Sequence, residues 1–412
     1  MEENYIKTSS NVGALEISST SVKFAIGSLI DKRPVLCYYG EKSIRGAVKD
    51  GIIRDPHMVS EAIKNVLAVT DEALKLKVNI DSISLLLPPF GLTVYQSNRQ
   101  TSVVSQTNLI DQLDITNVMV LVQKEAVPSG TSIVDIVPDY YELDNQKRFW
   151  NAPVGEKSKN LMICAKIHCL PDSLIRNYRV PVEECGLRIE RIAVSPFASS
   201  SLIATSKNMP HDYILVDMGA HFTTVSMIGA SCLFASLSFA KGGDDLTEAI
   251  ASEFSLSFEE AERIKIDYGY SEINDKFAEP IADSVGEDGE NHSYFEKDLS
   301  HIIASFYEES FNVLLSNAIN SLLQRKLTPQ NQSFLPSLPI VFVGGASELS
   351  GLAKLLSPAL GSHSAIFYTP SVIGAREAKY STVLGLIAAQ GDNRGRVDSL
   401  YRTSSSLSRS KN

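Results

Sequence analysis

The amino-acid sequence predicts an α/β protein of two similar halves facing each other across a cleft, with a small α+β unit inserted in the first half. Two observations carry that reading. "LEISSTSVKFAIG", from Leu15, and "VDMGAHFTTVSMIG", from Val216, share one order: strand, acid, apolar residue, small residue, polar turn, strand, glycine. They lie about 200 residues apart, each opening an α/β stretch, and an internal repeat on that scale means two domains of like design. Between residues 84 and 168 the texture changes to strand-rich runs around one helical pattern, which marks the insert.

Size and composition agree. A chain of 412 residues exceeds one compact core, so two to four lobes are expected. Hydrophobic content of 44% with 21% charged residues is ordinary for a soluble globular protein. A net charge of −10 argues against a nucleic-acid surface. Cys37, Cys164, Cys169, Cys185 and Cys232 form no CxxC pair or His/Cys cluster, which points to reduced thiols. "MEENYIKTSS" lacks the pattern of a signal peptide and no run of 18 apolar residues occurs, so a cytoplasmic protein without a membrane span is expected.

Each element follows from local pattern. Residues 11–27 and 32–40 alternate as a strand pair. Asp55-Pro56 opens a helix with apolar positions at Val59, Ile63, Val66, Leu67 and Leu74. "DSISLLLPPF" is a buried strand. In the insert, "TVYQSN", "SIVDIVPDYYELDN" and "KNLMICAKIHCL" are strands and "ITNVMVLVQKEA" is a helix. A helix closed by Gly186 follows, which Pro181 should kink or interrupt, and then a strand. After the second hairpin come helices at 242–254 and 258–267, an exposed acidic loop at 270–297 and a long helix at 298–325. "PIVFVGGASELSGLAKLL" reads as strand, glycine turn and helix, and "STVLGLIAAQG" as a buried helix.

Four motifs carry chemistry. The small-residue turns after Glu16 and Asp217 point backbone N–H groups at a phosphate, while each acid holds Mg²⁺ through water. Gly344-Gly345 lets the backbone approach a flat base or ribose closely. "AERIK" puts Glu262 and Lys265 one helical turn apart on one face, suited to ribose hydroxyls and the adenine edge. Each alone is more often a turn or a solvated helix face; the order of all four points to a nucleotide.

With these motifs the sequence resembles the FtsA family of actin-like bacterial cell-division proteins, from about residue 12 to 390. "IRGAVKDGIIRD" looks like the family's SRG-x-x-KG-x-I-x-D segment. "SIVDIVPDYYELDN…NAPVG" and "AKIHCL…VEECGLRIERIAVSPFASS" look like stretches in and after its inserted domain. "LVDMGAHFTTV", "AERIK", "VFVGGASELSGL" and "YSTVLGL" match its phosphate, ribose, adenosine and final-helix segments. The resemblance implies an actin-like ATPase fold with an SHS2-type insert, ATP and Mg²⁺ in the cleft, and self-association into protofilaments. It also implies binding of the FtsZ C-terminal peptide, recruitment of other division proteins, and tethering of the Z ring to the inner face of the membrane. Carried over residue by residue, Glu16, Ser18, Ser19 and Thr20 form the first phosphate turn, with Lys23 beside it. Asp217, Gly219 and Thr223 form the second, followed by Gly243. Glu262 and Lys265 hold ribose and base, and Gly344, Gly345 and Ala346 the adenosine. The expected divisions are 8–83 and 169–208 for the first domain, 84–168 for the insert, and 209–240 and 331–391 for the second domain. Its small subdomain is 241–330, and 392–412 is a basic polar tail.

The sequence departs from the family in three places. Ser18 stands where the first loop has glycine and Ser21 where it has lysine, so a Cβ obstructs close approach to phosphate, and Lys23 is expected to compensate in part. His221 interrupts the second loop's glycines and must go left-handed or reshape the turn, at roughly 1 kcal/mol or more. Binding with little or no hydrolysis is therefore expected. The tail offers Val397, Leu400, Tyr401 and Leu407 with Arg396 and Arg402, a short amphipathic pattern of weak peripheral membrane affinity. Two alternatives stand beside this reading: a PilM-like cytoplasmic scaffold of a pilus assembly, and a small-molecule kinase or ATPase of the same superfamily.

Overall fold

The computed structural model describes residues 12–68, 70–71, 76–77, 82–230, 232–272, 279–285, 290–326 and 338–391. Leu74 and the tail residues Arg396, Val397, Leu400, Tyr401, Arg402 and Leu407 lie outside them. The first lobe opens with β1 (Val12–Ile17), β2 (Ser21–Ile30), β3 (Arg33–Ser43), α1 (Pro56–Leu67) and β4 (Ser82–Leu87). The insert comprises β5 (Thr93–Ser102), α2 (Gln112–Gln123), β6 (Thr131–Leu143) and β7 (Asn160–Pro171). The chain returns to the first lobe through α3 (Asp172–Glu184), β8 (Arg188–Val194) and α4 (Ser195–Ile203). In the second lobe β9 (Tyr213–Met218), β10 (Thr223–Gly229) and β11 (Cys232–Phe239) lead into α5 (Gly243–Phe254), α6 (Phe258–Tyr268), α7 (Glu296–Phe306) and α8 (Asn312–Lys326). β12 (Ile340–Val343), α9 (Leu352–Leu360), β13 (Ala365–Phe367) and α10 (Ser381–Ala388) complete it.

The two lobes repeat one sheet plan. The orders are β8-β4-β1-β2-β3 and β13-β12-β9-β10-β11, three antiparallel strands continued by two parallel ones. Register makes the acids equivalent: Glu16 lies opposite Lys23 and beside Leu86, and Asp217 lies opposite Thr224 and beside Val343. Both acids therefore stand at the ends of central strands, where an open α/β sheet presents its crevice.

α4 and α10 pack between the sheets. Apolar and small on nearly every face, they are buried all round, as a helix between two layers must be. They cross at Gly385, where an added Cβ would stand 2.1 Å from the Ala198 carbonyl oxygen. The insert has its own core, Ile115, Val118 and Val122 of α2 against Ile136, Leu161 and Ile163, yet it touches both lobes. Asp135 faces Arg191 of the first lobe at 3.7 Å. Lys166, buried, donates to Gln96 at 2.7 Å and lies 4.2 Å above the Phe234 ring of the second lobe.

Four local expectations change. Asp55 caps α1 through the Met58 amide, but the helix stops at Leu67, and Thr70 pairs with Lys77 in a short ladder. α3 runs uninterrupted through Pro181, whose carbonyl accepts from Ser60 at 3.3 Å. The acidic stretch is not simply an exposed loop: Ala282–Val285 and Asn291–Tyr294 form a hairpin, and the Tyr294 ring stacks 4.1 Å from that of Phe254. The half-buried Tyr294 ring docks this hairpin onto α5 despite the stretch's charge. A π turn at Tyr307–Phe311 divides the long helix and buries both aromatic rings at its ends. Among the described residues no helix is long and apolar enough to cross a membrane.

The Gly385 contact is testable. Gly385→Val forces β-branched bulk onto a backbone carbonyl and is expected to destabilise the protein by about 1–3 kcal/mol or more, read as a lower urea midpoint at unchanged slope.

Candidate nucleotide cleft

A cavity of about 490 Å³ lies between the lobes, within the range of small-molecule sites. Glu16, Ser18, Ser19, Thr20, Lys23, Asp217, Gly219, Gly243, Glu262, Lys265, Gly344, Gly345 and Ala346 all line it. Thr223 does not: strand alternation turns it inward, fully buried, where its hydroxyl donates to the Lys241 carbonyl at 2.8 Å. Thr224 lines the cavity in its place.

The first turn is closed by its own side chain. The Ser18 hydroxyl accepts from the amides of Ser21 at 3.0 Å and Thr20 at 3.3 Å, while the Ser18 amide donates to the Ser21 carbonyl at 2.8 Å. Those three N–H groups are thus committed, an ordinary consequence of serine in a turn. Ser21 in turn donates to Glu41 at 2.8 Å. In the second turn Gly219 donates to the Phe222 carbonyl at 2.9 Å, and the α5 amides of Gly243 and Asp244 donate back to Gly219 and Ala220. His221 keeps a negative φ, so the turn is reshaped without left-handed strain. Its Nε2 lies 3.3 Å from Asp244, whose carboxylate pairs with Arg45 of the first lobe.

The acids differ in their surroundings. Glu16 accepts from Thr382 at 2.6 Å and faces Lys23 at 3.4 Å, and Lys23 also donates to the Lys379 carbonyl at 3.0 Å. Asp217 has no side-chain hydrogen-bond partner among the described residues, and burial and the nearby Glu16 charge push its carboxyl up to about 6, against the pull of Lys23. Gly344, at φ +86°, is required beside it: a Cβ there would stand 2.5 Å from Asp217 Oδ1. Burial works against the charge of Glu41, yet the Ser21 hydroxyl, Lys23 and Lys379 hold it below its ordinary value. Glu262 and Lys265 pair at 2.6 Å, and Lys265 also donates to the Gly243 carbonyl at 3.0 Å and Thr247 at 2.7 Å.

Known proteins resemble this chain to differing degrees. The family model for "Cell division protein FtsA" matches residues 214–385. The FtsA of Enterococcus hirae is 27% identical over 92% of this chain and 83% of its own length. That of Streptococcus pneumoniae serotype 2 is 24% identical over 90% and 78%. Over nine-tenths of its length the chain is similar to the FtsA cell-division proteins. Its fold is the actin-like ATPase fold, shared with solved structures of a PilM–PilN type IV pilus biogenesis complex and of MreB 5 of Spiroplasma citri bound to AMPPNP. The first has a TM-score of 0.58 at 17% identity, covering 92% of this chain and 98% of that one. The second has 0.52 at 10%, covering 91% and 94%. At such identities the likeness speaks of fold alone.

Set beside the FtsA relatives, the cleft fits a nucleotide unevenly. Gly344, Gly345 and Ala346 present backbone and no more than a methyl group to the cavity. Asp217, an acid without a side-chain partner among the described residues, faces the cavity as a group awaiting a cation would. No cluster of three or more metal-ligating side chains exists among the described residues, so Mg²⁺ would be held through water and phosphate, its usual mode. The serine-closed first turn fits phosphate least. Sequence reasoning missed Glu41, Arg45, Asp244 and Lys379. Arg45 lies in "IRGAVKDG" and Asp244 in "KGGDDL", but their meeting across 199 residues leaves no local signal.

Asp217 makes stability pH-dependent in a defined sense. Its folded value lies above the ordinary 3.8, so the folded state holds the proton more tightly. That contribution is complete below about pH 4 and is lost as pH rises through about 6. The urea midpoint of the wild type is expected to fall relative to that of Asp217→Asn between about pH 4 and 7; parallel profiles would refute the assignment.

Proposed function

We propose that this chain is a nucleotide-regulated adaptor of bacterial cell division. It binds ATP–Mg²⁺ in the interlobe cleft, self-associates into actin-like protofilaments and binds the C-terminal peptide of FtsZ. It thereby tethers the Z ring to the cytoplasmic face of the membrane at the division site and recruits other division proteins. The observation that carries the reading is the convergence of two equivalent strand-end acids, Glu16 and Asp217, with the Gly344 turn at one cavity, in a chain alignable with FtsA over nine-tenths of its length.

Each residue takes a role in this reading. Asp217 orients the water shell of Mg²⁺, Gly344 to Ala346 receive the adenosine, and Glu262 and Lys265 rim the ribose. Lys23 balances Glu16 and keeps two carboxylates from facing each other unscreened. With the Ser18 hydroxyl occupying the amides of Thr20 and Ser21, less stabilisation is left for charge developing on a transferring phosphoryl group, so turnover is slow or absent. The basic tail adds weak attraction to an anionic leaflet, strengthened by polymer avidity.

Isothermal titration is expected to show ATP–Mg²⁺ binding, weakened about tenfold or more by Asp217→Ala, with phosphate release near background. Co-sedimentation with FtsZ polymers is expected, and its loss when the FtsZ C-terminal peptide is deleted. No association with FtsZ under any nucleotide condition would sink the adaptor reading.

A further inference from the structure

Most cations lining the cleft are committed. Lys23 is buried against Glu16 and the Lys379 carbonyl, Lys265 against Glu262 and the Gly243 carbonyl. Arg45 is the most open of them, its side chain 45% exposed, against 35% for Lys379 and about a tenth for the other two. Its guanidinium spans from the first lobe to Asp244 of the second and lies 4.7 Å above the Phe258 ring of α6. One carboxylate oxygen, Asp244 Oδ2, serves both Arg45 and His221 Nε2, so the two cations share a single acceptor. Asp244 lines the cavity and His221 stands behind it.

A triphosphate entering this cleft finds three amides of the first turn, those of Ser18, Thr20 and Ser21, already donated within the turn. It needs a charged side chain in their stead, and a guanidinium binds phosphate in a bidentate fork. Resting on the nucleotide reading, we propose that Arg45 is a ligand of the distal phosphates, that Asp244 competes with phosphate for it, and that protonated His221 holds Asp244 aside. His221 is a positioning residue in this scheme. The groups facing it are Asp244 and Asp245 of α5 and Arg45 opposite, with Lys241 3.9 Å from Asp245. The Asp244 hydrogen bond raises the His221 imidazole above its ordinary 6.5 and so favours the protonated form. Affinity for a phosphate-bearing ligand thus falls as pH rises.

The test titrates ATP–Mg²⁺, and adenosine as a phosphate-free probe, into the full chain and three variants between about pH 6 and 8. Arg45→Gln is expected to lose about tenfold in ATP affinity and keep adenosine affinity. Asp244→Asn is expected to gain ATP affinity, and His221→Gln to flatten the wild-type pH profile, its parallel run cancelling the titration of ATP itself. ATP bound as tightly by Arg45→Gln as by wild type, or an unchanged pH profile in His221→Gln, overturns the inference while leaving the nucleotide reading intact. Should Arg45→Gln lose adenosine as well, Asp244→Asn decides: unchanged or weaker ATP binding overturns the competition. Wild type that binds neither probe removes the nucleotide reading and this inference together.

Discussion

At Gly385 the backbone of α10 lies against the Ala198 carbonyl of α4, closer than any side chain would permit, and both helices are enclosed by the two sheets. The geometry of the cleft depends on that approach. One turn before the contact, Thr382 reaches Glu16, and just before that the Lys379 carbonyl receives Lys23. The acid and base at the floor of the first lobe are therefore positioned by α10 and the residues just before it, at the end of the second lobe. A protein interior is close-packed, so a shift of α10 is felt at Glu16 rather than absorbed.

Much of this architecture is legible in the sequence because duplicated strands announce themselves by local order. Glu16 and Asp217, two residues before small-residue turns, mark equivalent strand ends, and Asp55-Pro56 marks a helix start by capping chemistry alone. Legibility falls where burial competes with composition. The stretch after residue 270 is acidic and turn-rich, yet Tyr294 finds the Phe254 ring and orders a hairpin there. No window of that segment contains Phe254. The same holds for α1, whose apolar spacing continues past Leu67 while its pairing partners change.

In the site, residue types are legible and partners are not. As a glycine replaced, Ser18 is an obstacle through its Cβ; the hydroxyl matters more, since it closes the turn on itself. His221 looks like a strain on the second turn, yet Asp244 gives it a place at negative φ. Spacing presents Glu262 and Lys265 as a pair facing ligand, and they do line the cavity, but each is also the other's partner. Each difference is a contact between residues far apart in sequence, or a hydroxyl acting on its own backbone, which type and spacing do not encode.

The insert touches both lobes, through Asp135 at Arg191 and through Lys166 over Phe234. Mechanically it is a splint across a joint. Hinge motion that parts the lobes must either drag Phe234 from beneath a buried cation, exposing a charge whose neighbours were arranged to hold it, or carry the insert along with one side. The first course is costly and the second is motion at a distance. Relative movement of the lobes is thereby tied to the insert, which belongs by contact to both of them.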